Sequence, residues 1–64
     1  MLHVSEILLQ HKEITTFAEL VEVVQQRAKT EMFFRIDLKP PFPDTPMNWE
    51  LVLEAAFSGV IKDD

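Results

Sequence analysis

The stretch from Met47 to Ser58 (MNWELVLEAAFS) limits the possible folds more than any other part of the chain. After Asn48 its only strongly polar positions are Glu50, Glu54 and Ser58. They are spaced four apart, and on a helix residues four apart share one face. The other positions, Trp49, Leu51, Val52, Leu53, Ala55, Ala56 and Phe57, are apolar. A surface helix ordinarily carries an apolar stripe on a polar cylinder, whereas this one carries a polar stripe on an apolar cylinder. Such a helix must be covered over most of its circumference. Its start is expected at Thr45-Pro46, an N-cap followed by proline in the first turn, and its stop at Gly59, the only glycine.

The chain has little with which to cover it. Its 64 residues make one domain, spanning residues 1–64. A domain of that size buries only roughly 60% of the surface its unfolded chain exposes. Cysteine is absent, which removes disulfides and cysteine-based zinc sites together. His3 and His11 are too few and too far apart for a structural metal site, so no metal and no cofactor are expected. Dense packing or a partner remains, and a chain that is 47% hydrophobic favours both over disorder.

In chain order, Leu2 to Lys12 reads as a short helix with Val4, Ile7, Leu8 and His11 on one face and Leu2 and Leu9 widening it. The alternative is an extended Met1 to Val4 with Ser5 capping a shorter helix. Thr16 and Glu19 then have the form of a capping box, each side chain placed to serve the other's backbone N–H. In the helix that follows, Phe17, Leu20, Val21, Val24 and Ala28 share a face, while Arg27 and Lys29 suit the negative end of its dipole. At Glu31 the period changes to two. Met32, Phe34, Ile36 and Leu38 point one way, and Glu31, Arg35, Asp37 and Lys39 the other, with Phe33 among them. A half-buried strand is expected over Met32–Leu38, ended by Pro40-Pro41. The proline-rich loop 40–46 has Phe42 with which to dock. Val60-Ile61 could pair briefly as a strand, and Lys62-Asp63-Asp64 reads as a solvated tail.

The expected fold is small α+β: helix, helix, strand, loop, helix. A lone strand leaves backbone donors and acceptors without partners, so its minimal sheet must be completed. Inside the chain only residues 13–15, 60–62 and 1–4 are candidates, and the same segment of a second chain is a better-matched one. The apolar last helix and the under-partnered strand therefore both point to a homodimer or a stable contact with another protein.

Composition weighs against several functions. The formal net charge is −5 and the sequence pI about 4.8, a poor starting point for binding phosphate backbones or anionic membranes. Charge is uneven, at −3 over residues 1–26, +2 over 27–39 and −4 over 40–64. The basic middle stretch makes a nucleic-acid-associated protein one alternative. The acidic flanks make another, an inhibitor that occupies the basic surface of a nucleic-acid-binding protein. Neither a signal peptide nor a span of ~18 apolar residues is present, so a cytoplasmic location without membrane contact is expected. A single glycine excludes glycine-rich phosphate loops. Glu50 and Glu54 have no third acid or histidine at helical spacing beside them, and neither serine has a recognisable base, so no catalytic residue is assigned and the chain is not expected to be an enzyme. Pro40, Pro43 and Pro46 repeat at the period of a polyproline helix, but the basic residue that usually flanks such ligands is replaced by Asp37 and Asp44, so a structural loop is favoured. The expected function is a non-catalytic protein-interaction module (small subunit, adaptor or inhibitor) whose contact surface is Phe33, Phe42, Trp49, Val52, Leu53 and Phe57.

Overall fold

A computed structural model describes the backbone of residues 1–61 and the side chains of residues 1–59. The expected tail at Lys62-Asp63-Asp64 lies outside the described residues. The elements run β1 (Leu2–His3), α1 (Val4–Gln10), α2 (Phe17–Arg27), β2 (Phe34–Arg35) and α3 (Trp49–Ile61). The fold is small α+β, with three helices and a two-stranded parallel sheet.

The chain opens extended and turns into α1 at Val4, which is the alternative reading of the first segment. Leu2, Val4 and Ile7 are buried while Leu9 faces solvent. Ser5 is not the cap of α1 that this alternative expects. The N-cap is His3, whose side chain makes no capping hydrogen bond. Instead the Ser5 N–H donates to Asp37 Oδ1 at 3.1 Å and the Ser5 hydroxyl donates to Asp37 Oδ2. A carboxylate from beyond β2 therefore serves the first turn of α1.

The capping box of α2 forms as its residues dictate. Thr16 Oγ1 accepts the Glu19 N–H at 3.2 Å, and Glu19 Oε1 accepts the N–H groups of Thr16 at 3.2 Å and of Thr15 at 2.8 Å. Phe17, Leu20, Val24 and Ala28 are buried along one face. Arg27 closes the helix, donating to Gln10 Oε1 at 2.9 Å and to Glu31 Oε2 at 3.3 Å.

The expected strand over Met32–Leu38 is reduced to a paired core at Phe34–Arg35. Its partner is β1, in parallel, with Leu2 opposite Phe34 and His3 opposite Arg35. The ladder is short because β1 becomes α1 after two residues. Phe34 and Ile36 pack on the core as the period-two pattern requires, but Met32 and Leu38 at the ends are exposed.

The proline loop is docked. Pro40 is fully buried, Phe42 packs against the core, and the Thr45 hydroxyl donates to the Pro40 carbonyl at 3.4 Å. Thr45-Pro46 therefore does not start the last helix. Thr45 is turned back into the loop, and α3 begins at Trp49, with the Asn48 carbonyl accepting the Val52 N–H at 3.1 Å. Gly59 is not the stop either, since α3 continues through it to Ile61 without a positive φ. The short strand expected at Val60-Ile61 is the end of that helix.

Leu53, Ala56 and Phe57 of α3 complete the core, with Trp49 and Val52 packed at its margin. α3 lies against α2, and its Phe57 ring stacks on Phe34 of β2, centroids 5.2 Å apart and planes 18° from parallel. No helix among the described residues is long and apolar enough to cross a membrane.

Candidate functional site

Packing against α2 and β2 buries Leu53, Ala56 and Phe57 of α3 and leaves another side of the helix open. The polar stripe Glu50, Glu54 and Ser58 is exposed, as expected of a wet edge, but Leu51 and Ala55 are exposed with it. Leu51 keeps 65% of its surface in solvent. Beside it runs a groove between α3 and β2. One part, of about 500 Å³, is lined by Phe34, Ile36, Glu50, Leu51 and Glu54. A second part, of about 280 Å³, shares Phe34 and Glu54 and continues along Met32, Phe33, Phe57 and Ser58. Met32 and Phe33, exposed at 83% and 64%, form its outer end. Exposed large apolar side chains that cluster about one groove differ from apolar residues scattered singly over a surface, which need no explanation.

The groove also contains an open strand edge. The Phe33 carbonyl accepts the Leu2 N–H at 2.9 Å, so residue 33 turns towards β1. In a parallel ladder alternate residues direct their backbone groups to opposite sides, so Phe34 presents its own to the outer edge of β2, and the same alternation carried one residue past β2 turns Ile36 that way. Among the described residues no strand pairs with that edge. It combines unpaired donors and acceptors with apolar walls, as a site that receives an extended segment must.

The six expected contact residues divide. Leu53 and Phe57 are buried in this chain's own core. Phe42, Trp49 and Val52 are half-buried against it. Phe33 alone is largely exposed, and it shares the groove with Leu51 and Met32. Size and aromaticity direct a sequence reading to Trp49 and Phe57, whereas which side of an apolar helix stays open depends on where α2 and β2 lie. The polar stripe was the available signal, since Leu51 follows Glu50 directly and Ala55 follows Glu54.

The remaining chemistry is distributed. Arg35, Asp37 and Lys39 are exposed beyond the groove. The Ser5 hydroxyl, with the Ser5 N–H in support, holds the Asp37 carboxyl below its usual range. Arg27, at the head of the basic stretch, is joined to Glu31. His11 Nδ1 lies 3.2 Å from Glu13 Oε2. Pro40, first of the spaced prolines, is enclosed by the fold and is out of reach of a proline-binding groove. Among the described residues no group of three or more His, Cys, Asp or Glu could hold a metal ion. Comparison with protein-family models, with curated proteins and with solved structures finds no match to this chain.

Proposed function

We propose that the chain is a non-catalytic protein-interaction module that receives an extended protein segment along the groove between β2 and α3. The observation that supports this reading is the coincidence of an open strand edge at Phe34–Ile36 with exposed Leu51, Phe33 and Met32 around it. Edge pairing supplies main-chain hydrogen bonds, and the apolar walls select alternate side chains of the incoming strand. Glu50 and Glu54 at the rim add a polar margin of the kind that surrounds an apolar contact.

The test is capture of proteins on the immobilised chain, with Leu51→Asp, Phe33→Asp and Leu9→Asp run alongside. Leu9 is equally exposed but lies outside the groove. A bound protein, a further copy of the chain included, should be lost with Leu51→Asp and Phe33→Asp and retained with Leu9→Asp. Binding indifferent to Leu51, or no binding at all, overturns the reading.

A further inference from the structure

We infer that the segment received along this groove is β2 of a second copy, paired antiparallel about a two-fold axis at Ile36. This inference rests on the interaction-module reading and names its occupant. The two sheets then join into one of four strands, in the order β1, β2, β2, β1.

The argument is one of register and charge. Across an antiparallel pair, residues that face each other lie on the same side of the sheet, so in a symmetric pairing their numbers share parity. Four centres are then available within residues 34–37. Centring on Phe34 sets Arg35 opposite Phe33 of the second copy and gains no ion pair, because the Glu31 N–H is held by the Arg27 carbonyl in the turn after α2. Centring on Arg35 places Arg35 opposite itself. Centring on Asp37 does the same for that carboxylate and sets Arg35 against Lys39. The Arg35 and Asp37 centres oppose like charges, which destabilises a strand pair. Centring on Ile36 alone sets Arg35 opposite Asp37 of the second copy, and by symmetry does so twice.

The same centre fits the backbone and the groove. Ile36 is an edge-facing residue, so the two Ile36 residues exchange their N–H and C=O groups. Arg35 and Asp37 then form the non-hydrogen-bonded pair, in which side chains approach most closely. Both are exposed. Asp37 accepts from Ser5 with each oxygen, yet a carboxylate has about four acceptor sites and can still receive a guanidinium. On the opposite face Phe34 meets Leu38 of the second copy, which places an exposed leucine over the groove beside Leu51.

The experiment is sedimentation equilibrium from micromolar to millimolar concentration on the wild type and on Arg35→Ala, Arg35→Asp, Arg35→Lys and Lys29→Asp, with far-UV circular dichroism as the control for folding. Arg35 is exposed, so its variants keep the fold. The wild type should dimerise. Arg35→Ala should raise the dimer Kd roughly 2- to 30-fold, because each of two cross-strand pairs is lost. Arg35→Asp, which gathers four carboxylates at the axis, should abolish the dimer, while Arg35→Lys and Lys29→Asp should leave it. A tighter dimer in Arg35→Ala would indicate the Arg35-centred register, and a dimer indifferent to residue 35 would use another surface; either overturns the inference. A wild type monomeric throughout overturns it too. If such a monomer still captured another protein through Leu51, the interaction-module reading would stand without this occupant.

Discussion

The Asp44 carboxylate accepts the Phe17 N–H at 2.7 Å, so the proline loop caps a helix that begins 27 residues before it. Thr16 and Glu19 serve the third N–H of α2 and the N–H groups ahead of it, and Asp44 serves the first. The contact also fixes the loop, whose Pro40 and Phe42 cover the core. Asp44→Ala should therefore lower unfolding stability by about 1 kcal/mol, the usual loss for a helix cap, and Thr16→Ala by a similar amount. Chemical denaturation of both single variants and the double variant measures this. The two groups cap neighbouring positions of one helix end, so the double variant should depart from additivity by about 0.5 kcal/mol or more.

Three carboxylates, Glu13, Glu19 and Asp37, are held below their ordinary range by the donors they receive. For Glu19 the main cause is the Thr15 N–H, and for Asp37 it is the Ser5 hydroxyl. A carboxyl whose folded pKa is depressed binds its proton more readily in the unfolded chain. The stability it contributes is present above the unfolded pKa and is lost as pH falls through the folded one. The denaturation midpoint should therefore hold from neutral pH to about pH 5 and fall below about pH 4. Glu19→Gln keeps a capping-box side chain but removes its titration, and Asp37→Asn keeps an acceptor for Ser5. The double variant should show a shallower decline in acid, read by denaturation at a series of pH values. A decline as steep as that of the wild type would assign the acid sensitivity to other groups.

On α3 two leucines two residues apart have opposite fates. Leu53 has no exposed surface, whereas Leu51 keeps 65% of its own. Leu53→Ala should cost about 3 kcal/mol through lost burial and an incompletely collapsed cavity. A domain of this size has only roughly 3–10 kcal/mol of total stability, so the variant should lose much of its cooperative transition. Leu51→Ala should change stability by no more than about 0.5 kcal/mol when measured at concentrations where the chain is monomeric. Thermal and denaturant unfolding of the two variants side by side tests the burial difference directly.

What was legible in the residues follows the range of the forces involved. α2 was readable from its start because Thr16 and Glu19 signal each other across three positions, and its apolar period gives the buried face. The middle of the strand expected over Met32–Leu38 was readable too, since Phe34 and Ile36 turn inward while Arg35 is exposed. Its length was not, because that is set by β1, a segment some thirty residues away that can offer only Leu2–His3. The caps supplied by Asp37 and Asp44 leave no local trace, as each serves a helix 32 or 27 residues distant. The start of α3 differs from the expected Thr45-Pro46 for a related reason: that pair has the form of a helix start, but the Thr45 hydroxyl donates to the Pro40 carbonyl. For the candidate site, the excess of apolar surface on α3 was legible, and Phe33 was the exception it suggested. The division into buried Leu53 and Phe57 and exposed Leu51 depended on tertiary packing.

Gly59 gives a test that runs in the stabilising direction. As a helix stop, a glycine would adopt a positive φ, and replacing it with alanine would introduce strain. In this fold Gly59 lies inside α3 with no positive φ, and a Cβ added there meets nothing within 4 Å. Only the backbone entropy of glycine in the unfolded chain then distinguishes it from alanine. Gly59→Ala should stabilise the domain by about 0.5–1 kcal/mol and raise Tm by roughly 2–8 °C. The gain should be seen at low concentration as well as high, since Gly59 does not line the groove. Differential scanning calorimetry reads it, and a lower Tm would return Gly59 to the end of the helix, as its position in the sequence first implied.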